Sequence, residues 1–77
     1  MKPNGTWITL PRSERLHVGR FTCDVWPFGM EARYSVLDEN TGRYIAGGKC
    51  ADTSWAKEVS SGFASSFLET LSTAKGD

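Results

Sequence analysis

The chain has 77 residues, of which 39% are hydrophobic and 23% charged, and nine Lys and Arg balance nine Asp and Glu to a formal net charge of zero. That length gives room for one globular domain, and the composition excludes disorder. The neutral total lacks the cationic excess from which strong nucleic-acid binders draw their affinity, and equally the acidic excess of a DNA mimic.

Within that total, residues 1–50 hold seven Lys and Arg against five Asp and Glu, and residues 51–77 hold two against four. The first part is mildly basic and the second mildly acidic. Three Trp, two Tyr and four Phe supply enough large apolar area to build a core without disulfides or metal.

In chain order, Thr6–Leu10 alternates weakly and reads as a short edge strand within an N-terminal segment, 1–15. Pro11–Arg15 reads as a polar turn. Leu16–Trp26 reads as one strand, with Phe21, Cys23 and Val25 on one face and Arg20, Thr22, Asp24 and Trp26 on the other. Pro27, which has no N–H for a ladder bond, is expected to end it.

Trp26-Pro27-Phe28-Gly29-Met30 is unusually apolar for a turn. It is expected either to cap the end of the core or to present an anchor to a partner. A strand over Glu31–Asp38 follows, then Glu39-Asn40-Thr41-Gly42 and a strand over Arg43–Lys49. Gly42 suits the left-handed residue of a bulged hairpin.

In the bulged register, Glu39 faces Arg43, Leu37 faces Ile45 and Val36 faces Ala46. Leu37 and Ile45 then join Trp26 on the open face, and Gly48 lets the helix approach. The alternative four-residue loop pairs Asp38 with Arg43 and puts Ile45 in the core, because a slip of one residue exchanges the two faces.

Asp52, Thr53 and Ser54 are N-cap candidates for a helix over 54–73. Trp55, Val59, Phe63, Phe67 and Leu71 recur every four residues, predicting an amphipathic helix whose aromatic stripe packs on the sheet. The serine pairs 60–61 and 65–66 read as a solvated face. Ala64 and Leu68 widen the apolar arc beyond what a three-stranded sheet covers, so the Trp7 segment or another molecule is expected there. The expected fold is α+β, a three- or four-stranded antiparallel meander over 16–50 with one C-terminal helix on one face.

No catalytic, metal or cofactor constellation emerges. His17 has no companion histidine. Cys23 and Cys50 lack metal-ligand spacing and read as small core residues. Ala46-Gly47-Gly48-Lys49 lacks the spacing of a phosphate loop. With no signal-like stretch and no segment of membrane-spanning length, the expectation is a cytoplasmic protein that is not an enzyme and makes no membrane contact.

Three classes of function remain. The first is a protein-binding module that occupies a partner's surface through Trp26, Phe28, Met30, Leu37 and Ile45. In its size, neutrality and aromatic content the chain resembles small accessory proteins of bacteriophages and other mobile elements, which implies an inhibitor of host machinery or of anti-phage defences such as CRISPR effectors. The second is DNA binding. Over residues 16–73 the strand–strand–strand–helix order resembles the N-terminal DNA-binding domains of some tyrosine recombinases and the plant AP2 domains. That implies base and phosphate contacts from Arg20, Arg33, Arg43 and Lys49, with Trp26 stacking. The third is a subunit of a homo-oligomer, a homodimer in its simplest form.

Overall fold

A computed structural model describes residues 6–76 of the chain, with side chains as far as residue 71. The fold is α+β, one antiparallel meander of five strands with a single C-terminal helix packed on one face. The strands are β1 (Ile8–Thr9), β2 (Glu14–Val18), β3 (Phe21–Phe28), β4 (Glu31–Asp38) and β5 (Arg43–Cys50), followed by α1 (Thr53–Gly76). No described helix is long and apolar enough to cross a membrane.

The count of five corrects the expected three or four, and the main reason is Gly19. The segment expected as one strand over 16–26 folds back on itself, with Val18 opposite Phe21 across a two-residue turn. Gly19 has φ +58°, the positive value that a type II′ turn requires at its first central position. Arg20 is therefore a turn residue. At the other end of the expected polar turn, Glu14 and Arg15 are already in β2 and pair with Val25 and Asp24. Thr9 and Ile8 add the short edge strand β1.

β3 also runs through Pro27, which pairs with Ala32. Phe28 and Glu31 flank a second two-residue turn, with Gly29 at φ +65°. Such a turn makes Phe28 and Glu31 a hydrogen-bonded pair, so Pro27 and Ala32 form the non-bonded pair next to it. The proline nitrogen thus points away from β4, on a side where β2 has already ended at Glu14.

The β4–β5 hairpin combines both expected registers. Its loop pairs Asp38 with Arg43 and Leu37 with Tyr44, and a bulge then restores Val36 opposite Ala46. Ile45 is the extra residue, and it packs against the core beside Ala46. The expected pairing of Glu39 with Arg43 and the outward Ile45 are both corrected: the bulge sits at Ile45, inside the strand. Gly42, at φ +73°, closes the loop, its N–H donating to the Asp38 carbonyl at 2.7 Å.

The core joins Leu16, Val18, Phe21, Cys23, Val25, Ala32 and Val36 from the sheet to Ala56 and Ala64 from the helix. The helix lies on the sheet along its small residues, since Ala56, Ser60 and Ala64 are fully buried. Ser60 therefore belongs to the seam, contrary to its expected solvated face. Its hydroxyl donates to the Lys57 carbonyl at 3.3 Å, and its own carbonyl accepts from the Cys23 thiol at 3.5 Å. No buried side-chain nitrogen or oxygen lacks a hydrogen-bond partner among the described residues.

The aromatic stripe is consequently displaced from the centre of the interface. Trp55 is 56% exposed, Phe63 41% and Phe67 39%. Successive positions four apart advance by about 400°, so such a row drifts about 40° per step around the axis. Centring the helix on Ser60 puts Trp55 and Phe63 on the flank above β5, while Phe67 reaches the end of the sheet against Phe21. The expectation of a buried stripe holds only for its inner edge.

The other flank is closed. Trp7 packs against the core, with Lys57 Nζ 5.8 Å from its ring centroid. Lys57 also pairs with Glu14 at 2.6 Å. Leu68 rests on the Gly19 turn, where a Cβ at Gly19 would lie 2.9 Å from Leu68 Cδ2. Asp52 caps the helix by accepting the Trp55 N–H at 2.8 Å, the side-chain bond to the third helical residue expected of an N-cap.

Candidate functional site

The end of the sheet that carries the β3–β4 turn also carries the C-terminus of β5 and the N-terminus of α1, because Cys50 pairs with Ala32 and the helix starts at Thr53. Exposed apolar side chains gather there. Met30, at the second turn position, is 98% exposed, and Phe28 is 56% exposed. The Arg33 guanidinium stands 4.1 Å from the Phe28 ring centroid, a cation–π contact that holds the ring against the hairpin while leaving Arg33 charged.

Two shallow depressions flank the C-terminal part of β5. On the helix side, Glu31, Tyr34, Lys49, Cys50, Trp55 and Val59 line about 510 Å³. On the open face, Trp26, Arg33, Tyr34, Gly48 and Lys49 line about 430 Å³. Tyr34 and Lys49 border both. Gly48 makes this possible, since a Cβ there would lie 3.0 Å from the Tyr34 hydroxyl. The glycine accommodates the Tyr34 side chain, whereas it was expected to admit the helix. Tyr34 in turn stacks on Phe63 at 6.3 Å, and Phe63 on Phe67 at 6.5 Å.

Of the residues singled out for partner contact, Trp26, Phe28 and Met30 belong to this end of the molecule. They form the last part of β3 and its turn, where a separate apolar loop was expected. Leu37 is on the open face but at the far end, half-buried opposite Thr22 and Tyr44. Ile45 is on the helix side and joins no patch with Leu37.

The four expected cationic contacts are dispersed. Arg20 grips Asp38 with two bonds of 2.8 and 2.6 Å. These bonds hold the Asp38 carboxyl below its ordinary range and raise the Arg20 guanidinium further. Lys49 lies 3.8 Å from Glu31. Arg43 is exposed beside the distal loop, and Arg33 is engaged with Phe28. The open face also carries the Arg15–Asp24 pair at 2.7 Å. No continuous track of free cations crosses the described sheet.

Thr22 Oγ1 donates to Glu39 at 2.5 Å and lies 3.2 Å from His17 Nδ1, but Thr22 is buried between them. Burial pushes the Cys23 thiol up to about 11, opposite to what an activated nucleophile needs. Among the described residues, no three His, Cys, Asp or Glu side chains come together as a metal site.

Sequence reasoning missed Trp55, Tyr34 and the edge position of Gly47-Gly48. Two adjacent glycines in a strand are the available signal, since they mark a close approach of something else. No family model matches the chain, nor does any curated protein or solved structure.

Proposed function

We propose that this chain is a non-enzymatic protein-binding module that acts by occupying a partner's surface. Such a module serves as a stoichiometric inhibitor or adaptor, the form taken by small phage accessory proteins directed at host or defence complexes. One observation carries the reading: Phe28, Met30 and Trp55 are more than half exposed at the same end of the molecule, where two depressions meet across β5. Large aromatic and sulfur side chains on rigid elements are the usual centres of interface energy. Met30 is held between a positive-φ glycine and a paired strand, so presenting it needs little further ordering.

The test is affinity capture from the native host with the wild-type chain and with a Phe28→Ala, Met30→Ala double variant, both first shown to unfold at the same urea concentration. The reading expects a partner that the wild type retains and the variant loses. Equal recovery by both removes this end of the molecule from the interface.

A further inference from the structure

We infer that the partner is held by strand addition, an extended segment of another protein pairing with β5 between Ala46 and Cys50 and sending alternate side chains into the two depressions. This rests on the protein-binding reading and specifies its mode and the chemistry of the partner.

The two edges of the described sheet differ sharply. β1 is two residues long and is followed within two residues by Pro11, so it offers almost no ladder. β5 has eight residues, pairs only with β4 among the described strands, and carries no proline. Its bulge at Ile45 twists the first part. That leaves the regular stretch from Ala46 to Cys50, about 17 Å long, for a partner strand. Gly47 and Gly48 lie within this stretch and add no side chains of their own, and the Tyr34 ring fills the place a Gly48 side chain would take.

An added strand points successive side chains to opposite faces, and the two depressions lie on opposite faces of this edge. The helix-side depression has Tyr34, Trp55, Val59 and Cys50 in its lining, with Glu31 and Lys49 at 3.8 Å from each other. It suits a large apolar side chain. The open-face depression is lined by Trp26, by Lys49, which lies 3.8 Å from Glu31, and by Arg33, which pairs with no carboxylate among the described residues. It suits an Asp or Glu. The segment recognised therefore carries a large apolar residue next to an acidic one.

Neither edge strand of a second copy meets that requirement, because Arg43–Cys50 and Ile8–Thr9 contain no acidic residue. Charge complementarity thus selects a different protein as the occupant.

The experiment selects linear twelve-residue peptides from a displayed random library against the full chain. It then measures amide hydrogen exchange of the chain with and without the tightest peptide. The expected peptides carry adjacent apolar and acidic residues and slow exchange at alternate amides within residues 46–50. Methylating alternate peptide nitrogens is expected to abolish binding in one set and spare it in the other. Replacing the acidic peptide residue by Asn or Gln is expected to weaken binding at least tenfold to the wild type and far less to Arg33→Ala, and an equal loss on both chains contradicts the acidic contact. Peptides that bind without protecting these amides, or that tolerate methylation at every nitrogen, overturn strand addition. So does slowed exchange at the same amides caused by self-association. A library yielding no binder overturns it too, while a partner lost by the Phe28→Ala, Met30→Ala variant would leave the broader reading in place.

Discussion

Replacing Gly19 by alanine tests how the helix is seated on the sheet. Gly19 has φ +58°, and a Cβ there would lie 2.9 and 3.0 Å from the two methyl carbons of Leu68. The left-handed backbone alone costs an alanine about 1 kcal/mol. Crowding a packed side chain adds about 1 kcal/mol when, as here, its flexible end can yield. Gly19→Ala is therefore expected to lose about 2 kcal/mol. At Gly29 and Gly42 the φ is also positive but nothing lies within 4 Å of a Cβ, so alanine there is expected to cost only about 1 kcal/mol. In a Leu68→Ala background the Gly19 penalty falls to the backbone part, a coupling of about 1 kcal/mol. Urea unfolding followed by tryptophan fluorescence measures all of these. Equal penalties at the three glycines, or no coupling to Leu68, would refute the contact between turn and helix.

Other outcomes follow from the ionisable groups. Asp38 is held below its ordinary carboxyl range by the Arg20 fork, helped by the Asn40 N–H at 3.0 Å. Its folded value lies below its unfolded one, so its contribution is complete above the unfolded carboxyl range of about 4 and is lost as pH falls through the lower folded value. Asp38→Asn is expected to destabilise at pH 7 and to converge on the wild type towards pH 2; urea midpoints that stay parallel would contradict this. Cys23 shifts the other way. Its protonated form is favoured by burial, with the thiol raised to about 11, so the stabilisation is present below the unfolded range of about 8.5 and is lost as pH rises towards the folded value. Cys23→Ala is expected to flatten the alkaline limb of the stability profile. In native buffer, iodoacetamide is expected to reach the half-buried Cys50 and not Cys23, giving one adduct per chain by mass; two adducts would mean that the seam opens.

Much of the architecture was legible, and the errors have particular causes. The helix declared itself because apolar residues at helical spacing over 55–71 fit no strand, and Asp52 marked its start. Gly42 marked the last hairpin. The Gly19 turn is hidden if Leu16–Trp26 is read as one alternating run, yet the apolar phase switches across it, from Leu16 and Val18 to Phe21, Cys23 and Val25, and Val-Gly-Arg-Phe is a two-residue turn between apolar flanks. Pro27 reads as a terminator because its nitrogen cannot bond, yet at that position β2 has ended and no bond is required.

The rotation of the helix is hidden in the sequence for a simpler reason. Large aromatics draw attention to themselves, but a sheet admits a helix most closely along its small residues, and Ala56, Ser60 and Ala64 form that line. Ser60 reads as polar and is buried because its hydroxyl bonds back to the Lys57 carbonyl within its own helix. The candidate site was half legible. Phe28 and Met30 stood out as apolar turn residues, whereas Trp55 joins them only once the true helix rotation is known.

That rotation is tested most directly by the environment of Trp55. A Trp7→Phe, Trp26→Phe variant leaves it as the sole tryptophan. With its side chain more than half exposed above β5, the native emission is expected near that of the unfolded chain and readily quenched by acrylamide. Blue-shifted emission protected from acrylamide until the chain unfolds would place the aromatic row inside the sheet–helix seam and remove the surface on which the proposed partner binding depends.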